Sequence, residues 1–198
     1  MSVTAPRMAA AERRQHLIET AIRLFTDGSY HSTTTAEIAR AAGISEPILY
    51  RHFASKRELY LAALEHVWAK ARADWQRKLD ETPDACAAIE AIGKGHVSVR
   101  SPKLQLAELW VQALSEASGD PELRRHLRAH MREVHDFVAD LVRNGQAQGA
   151  IAAERDPDSE AWIMLAGGIL GMVGRRVGLL DDRELAGIRA ARLSWLRG

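Results

Sequence analysis

Apolar residues recur three and four positions apart along almost the whole chain, the spacing that gathers side chains on one face of an α-helix. No run alternates β-branched with polar residues, and no Asn-Gly or Asp-Gly turn sits between two such runs. The pattern predicts an all-α protein of about nine helices, near residues 9–27, 35–42, 46–52, 56–81, 83–99, 102–117, 121–144, 157–179 and 183–196. Their starts are marked chemically. Thr82-Pro83, Ser101-Pro102, Asp120-Pro121 and Asp156-Pro157 each set a capping oxygen before a proline, which lacks only an N–H that has no helical partner anyway. Thr34/Glu37, Ser55/Glu58 and Asp181/Glu184 have capping-box spacing, and Gly28, Gly43, Gly119, Gly145 and Gly149 mark stops.

The second and third helices are much shorter than the rest. The size change falls at Phe53-Ala54-Ser55, which divides the chain into an N-terminal part, residues 1–55, and a larger helical part, residues 56–198. In the first part, Leu17, Ala21 and Leu24 form a stripe on helix one, helix two offers Ile38, Ala39 and Ala42, and Gly43 supplies a turn. Leu49 and Phe53 lie four apart and point inward together, which leaves Glu46, Pro47, Ile48, Tyr50, Arg51 and His52 largely outside. Two short helices joined by a glycine turn over a supporting helix form a helix-turn-helix, which presents its second short helix to the major groove. The exposed set suits that task. Tyr50, Arg51 and His52 can donate to phosphates, Ile48 can touch a thymine methyl, and Glu46 can accept from cytosine N4. Lys56 opens the next helix, where a phosphate is also favoured.

Residues 13–64 resemble the DNA-binding region of the TetR family of bacterial transcription regulators. The run AAGISEPILYRHFASKRELY, residues 41–60, carries most of the likeness, with Ile18, Phe25, Gly28, Tyr30, Thr33, Thr34 and Ile38 before it. The resemblance implies that Thr34, Thr35, Ser45, Tyr50, His52 and Lys56 meet the DNA backbone. It sets Glu46, Pro47, Ile48 and Arg51 nearest the bases. Glu46-Pro47 departs from the commoner small residue followed by Gly-Thr. The resemblance further implies a repressor that binds a palindromic operator as a homodimer and leaves it when a small molecule binds. Two other readings stay open: a helix-turn-helix dimer controlled without a small-molecule inducer, and a helical enzyme or binding protein on the same scaffold.

The larger part matches the family only in being helical and of suitable length. Its candidate ligand contacts are Trp68, Trp75, His96, Trp110, Met131 and His135, residues that suit a plain core as well as a pocket. His126 and His130, four apart, have metal-ligand spacing, but the charged segment around them reads as a solvated face, and no metal or other cofactor is expected. The run AWIMLAGGILGMVG, residues 161–174, aligns Gly167, Gly171 and Gly174 on one helical face, which suggests close helix–helix approach. With Trp162 and with Leu193 of the last helix, these glycines are the candidate dimer contacts; packing within one chain is the alternative.

The chain has 198 residues, 27% of them charged and 46% hydrophobic, which fits a globular protein and excludes a disordered one. A single cysteine, Cys86, excludes an intrachain disulfide and a zinc site built from several thiolates. The longest apolar run is too short to span a membrane, which needs about 20 residues, and the N-terminus lacks a signal-peptide pattern. A cytoplasmic protein is expected. Net charge is +1 overall, and residues 1–56, with seven Lys/Arg against five Asp/Glu, carry the excess. No nucleophile elbow, phosphate-binding loop, dinucleotide fingerprint or zinc-protease motif occurs, so no catalytic residues are assigned.

Overall fold

The computed structural model describes residues 9–94 and 101–198. Among these, the chain forms nine α-helices and no strand: α1 Ala10–Asp27, α2 Thr35–Ala41, α3 Glu46–Tyr50, α4 Lys56–Glu81, α5 Ala85–Lys94, α6 Pro102–Ala117, α7 Pro121–Ala147, α8 Pro157–Arg176 and α9 Asp182–Arg197. They fall into two compact units, one ending at His66 and the other beginning at Val67, with α4 contributing to each.

In the first unit, α1 packs on α2 and α2 on α3. Leu17, Ala21, Phe25, Ile38, Leu49, Phe53, Leu59 and Tyr60 are buried there. Three aromatic rings brace one side: Tyr60 meets Phe25 edge-on at 4.9 Å and Tyr30 at 4.6 Å between centroids. In the second unit, α7 packs against α5, α6 and α8, and α5 also packs on α9. Cys86, Val142, Ile151, Leu193 and Leu196 form one apolar cluster. Burial pushes the Cys86 thiol up, and the thiol donates to the Ala150 carbonyl at 3.1 Å, so it is an inert core group.

Most predicted caps are present. Thr34/Glu37 and Asp181/Glu184 form reciprocal boxes, and the side chains of Ser101, Asp120 and Asp156 each accept from a first-turn N–H. Helices α3 and α8 end at Tyr50 and Arg176, short of the expected 52 and 179, and two further boundaries differ. The start expected at Thr82-Pro83 falls later, where the Asp84 carboxylate accepts from the Ala87 N–H at 2.6 Å. The tail of that helix, beyond Lys94, lies outside the described residues. Gly145, expected as a stop, is buried inside α7. A Cβ there would lie 2.6 Å from Ile151 Cδ1 and 3.1 Å from the Ala85 Cβ, so the glycine admits its neighbours rather than ending the helix. The turn comes at Gly149, whose φ of 71° is the left-handed conformation that glycine tolerates.

Two stability predictions follow from this packing. Gly145→Val should destabilise the protein by about 1–3 kcal/mol in urea unfolding, because the core has no room for the added atoms. The second concerns Lys103, whose ammonium is pushed down to about 8 by burial, with repulsion from Arg189 and then Lys78 adding to it. Below that pH the lysine is charged in both folded and unfolded chains and its burial costs stability. Between about 8 and its ordinary 10.5 the unfolded chain binds more protons, so stability rises with pH. Lys103→Met should therefore stabilise the chain at pH 7, with the gain fading above pH 10.5 in unfolding titrations.

Candidate nucleic-acid interface

The short helices α2 and α3 are held by local chemistry at both ends. At the start of α2, the Glu37 N–H donates to Thr34 Oγ1 at 3.1 Å and the Thr34 N–H donates to Glu37 Oε2 at 2.8 Å. The backbone bond from Thr34, followed by its hydroxyl, holds the Glu37 carboxyl below the usual range. At the far end, the Gly43 N–H donates to the Arg40 carbonyl and the Ile44 N–H to the Ala39 carbonyl. With Gly43 at φ 70°, this is a Schellman stop, and it sets the turn into α3.

Helix α3 has five residues, too few to be stable alone. Leu49 and Phe53, 0% and 1% exposed, pin it to the core. The opposite side then faces out as the spacing predicts. Pro47, Tyr50 and Arg51 are exposed, and Glu46, Ile48 and His52 are half-buried. Ser45 precedes α3 and its side chain makes no capping bond. Lys56 opens α4, its ammonium 4.3 Å from the centre of the Tyr30 ring.

Two features of this surface escape sequence reasoning. Thr35, expected at the DNA backbone, is buried, and its hydroxyl lies 2.5 Å from Glu46 Oε1 and 3.1 Å from the Tyr50 hydroxyl. Glu46, expected to face a base edge, thus has one oxygen engaged inside the protein. In addition, Arg13 and His16 of α1 and Arg40 of α2 line one concavity with Gly43, Ile44, Ser45 and Ile48. The guanidinium groups of Arg13 and Arg40 extend the outward surface toward α1. The Arg13/His16 spacing was a readable signal on helix one, but their meeting with Arg40 is tertiary.

In the second unit, the candidate ligand residues are packed against protein. Trp68, Trp75 and Phe137 form an aromatic cluster with ring centroids 5.6–6.0 Å apart. Trp68 Nε1 donates to Glu133 at 2.8 Å. Trp110 Nε1 donates to His130 Nδ1 at 3.1 Å. His135 is fully buried, stacks on Trp162 at 4.3 Å, and has its ring nitrogens 2.9 Å from Asp136 Oδ1 and 3.0 Å from the Asp158 carbonyl. Met131 is half-buried, and His96 lies outside the described residues. His126 is exposed beside the Glu122 carbonyl while His130 is turned to Trp110, and no metal-ligating cluster occurs among the described residues. A concavity in this unit is lined instead by Glu108, Val111, Gln112, Met172, Val173, Arg176 and Val177.

The candidate dimer contacts divide. Leu193 belongs to the intramolecular cluster, and a Cβ on Gly174 would lie 2.7 Å from Leu180 Cδ1, so both serve packing within the chain. Gly171 faces Leu185 at an ordinary 3.5 Å, whereas Gly167 meets open space and Trp162 is partly exposed. Among the described residues, no helix is long and apolar enough to cross a membrane.

A supporting α1, a tight glycine turn and a pinned α3 with a polar outer side define a helix-turn-helix DNA-binding protein. Comparison with known proteins gives the particular family. Residues 17–63 match the family described as bacterial regulatory proteins, tetR family, and residues 87–177 match the family described as BetI-type transcriptional repressor, C-terminal. The chain is 49% identical to the transcriptional activator FasR of Mycolicibacterium smegmatis over 59 residues, 30% of this chain and 27% of that one. It is 41% identical to the transcriptional regulator AcrR of Shigella flexneri over 148 residues, 75% of this chain and 61% of that one. The chain thus spans less than two thirds of either relative. A TetR-family regulator structure from Rhodococcus superposes with a TM-score of 0.81 at 20% identity, covering 95% of this chain and 100% of that one. The chain belongs to the TetR family of transcription regulators, which are not enzymes.

The exposed Arg51 gives a direct test of the outward surface. Arg51→Ala should weaken binding to a selected operator by about 1–3 kcal/mol and relax the preference at one base pair per half-site, as read by repeated selection.

Proposed function

We propose that this protein is a repressor that grips an inverted-repeat operator as a homodimer and lets go when a small molecule binds the second unit. Residues 1–55 would serve DNA and residues 56–198 ligand and dimer. The observation that carries the proposal is an apolar stripe on the outside of α8. Ile163, Ala166, Leu170, Val173 and Val177 follow one another at spacings of three and four, all exposed. Gly167 lies open beside them, and Ile188 and Trp195 of α9 are also exposed. A row of this kind is a surface awaiting a partner helix. A second copy supplies the same row by two-fold symmetry, and that symmetry suits a palindrome read by two α3 helices. Work on chromosomal DNA sets the protein in the bacterial cytoplasm.

The longer match supports repression. The likeness to an activator covers 59 residues of the DNA-binding end, whereas the repressor-type C-terminal pattern covers residues 87–177. What supports ligand control is the match of residues 87–177 to the BetI-type repressor C-terminal pattern. Trp68, Trp75, Trp110 and His135 are packed against protein, so a molecule that reaches any of them must part existing contacts and so selects another arrangement of the chain. If that arrangement spaces the two α3 helices away from one helical turn, about 34–36 Å, the operator is released. Operator DNA then weakens ligand binding by the same factor.

Leu170→Glu tests the carrying observation. Leu170 is 53% exposed, so the protomer should fold unchanged. Sedimentation should show monomers, and operator binding should fall with the loss of the second α3. A Leu170→Glu protein that remains dimeric contradicts the α8 interface.

A further inference from the structure

Thr35, Glu46 and Tyr50 form one hydrogen-bonded chain that joins the buried Thr35 to the half-buried Glu46 and the exposed Tyr50. Thr35 Oγ1 is 2.5 Å from Glu46 Oε1 and 3.1 Å from the Tyr50 hydroxyl. The directions of the protons follow from chemistry. A carboxylate only accepts, and a threonine hydroxyl has one proton, so that proton goes to Glu46. Tyr50 must then donate its own proton to Thr35 Oγ1. Both hydroxyls thus spend their protons inward, along a chain that ends on a negative charge.

This arrangement bears on DNA in two ways. The Glu46 oxygen that holds Thr35 is withdrawn from any base edge. A phosphate that takes the Tyr50 proton must break the tyrosine from the chain, and it does so within two hydrogen bonds of a carboxylate. Resting on the reading of α3 as the DNA-facing helix, we infer that Glu46 is a positioning residue that aims Tyr50 and repels phosphate, so that it sets specificity rather than affinity. Random-sequence DNA offers phosphates alone and meets the repulsion uncompensated. An operator adds base contacts and overcomes it. Specificity is a difference of affinities, and an element that weakens the wrong complex more than the right one raises it.

The test compares the full-length wild type with two variants, by anisotropy on a random-sequence duplex and on the operator that the wild type selects. Glu46→Gln keeps the shape and an oxygen for Thr35 but removes the charge. In water, a charge about 5 Å from a phosphate changes binding by roughly fourfold, so a dimer should bind random duplex about fifteenfold tighter. The gain on the operator should be smaller, and repeated selection should return the same sequence. Thr35→Val keeps the charge but cuts the chain, and the released Glu46 should add a preference for cytosine, whose N4 donates in the major groove. Glu46→Gln that leaves random-duplex affinity unchanged or weaker, or that erases a base preference of the wild type, overturns the inference; in the latter case Glu46 reads a base. A wild type that retains no duplex at low salt overturns the reading of α3 itself, an outcome visible before either variant is made.

Discussion

Burial of Leu49 and Phe53 is the constraint on which the DNA-facing surface depends. A helix of five residues has no stable direction of its own. With two large side chains sunk four positions apart, its rotation about its axis is fixed, and Pro47, Tyr50 and Arg51 have only one way to face. The Schellman stop at Ala39–Ile44 sets where α3 begins, and the aromatic trio of Phe25, Tyr30 and Tyr60 stiffens the first unit. Pro47, Tyr50 and Arg51 are therefore displayed by packing that is itself apolar, to which Thr35 and Glu46 add hydrogen bonds that orient Tyr50.

The second unit shows the same logic with glycine in place of large side chains. Gly145 and Gly174 each leave a space that a neighbouring side chain fills, Ile151 in one case and Leu180 in the other. Gly167 leaves a space that none of the described residues fills. That difference separates intramolecular packing from the outer face of α8, and one glycine-rich run contains both kinds of position.

Features that depend on neighbours in sequence were legible. The Thr34/Glu37 box, the Gly43 turn and the inward pair Leu49/Phe53 are each set by residues three or four apart or by one backbone conformation, so spacing alone reveals them. Features that depend on tertiary approach were not. Thr35 and Glu46 are eleven residues apart, and only the packing of α2 on α3 joins them. Gly145 looked like a stop because the sequence shows a missing side chain but not the Ile151 that occupies its place. Likewise Trp68, Trp75 and Trp110 suited pocket or core equally by composition, and the structure shows each in packed contact.

The central claim is that α3, displayed by Leu49 and Phe53, reads DNA as one half of a two-fold pair. Selection of random-sequence duplexes on the purified wild-type protein, followed by sequencing of what is retained, tests it most directly. The account predicts enrichment of an inverted repeat whose half-sites lie about one helical turn, roughly 34–36 Å, apart. Retained DNA with no inverted repeat, or no retained DNA at low salt, would contradict it.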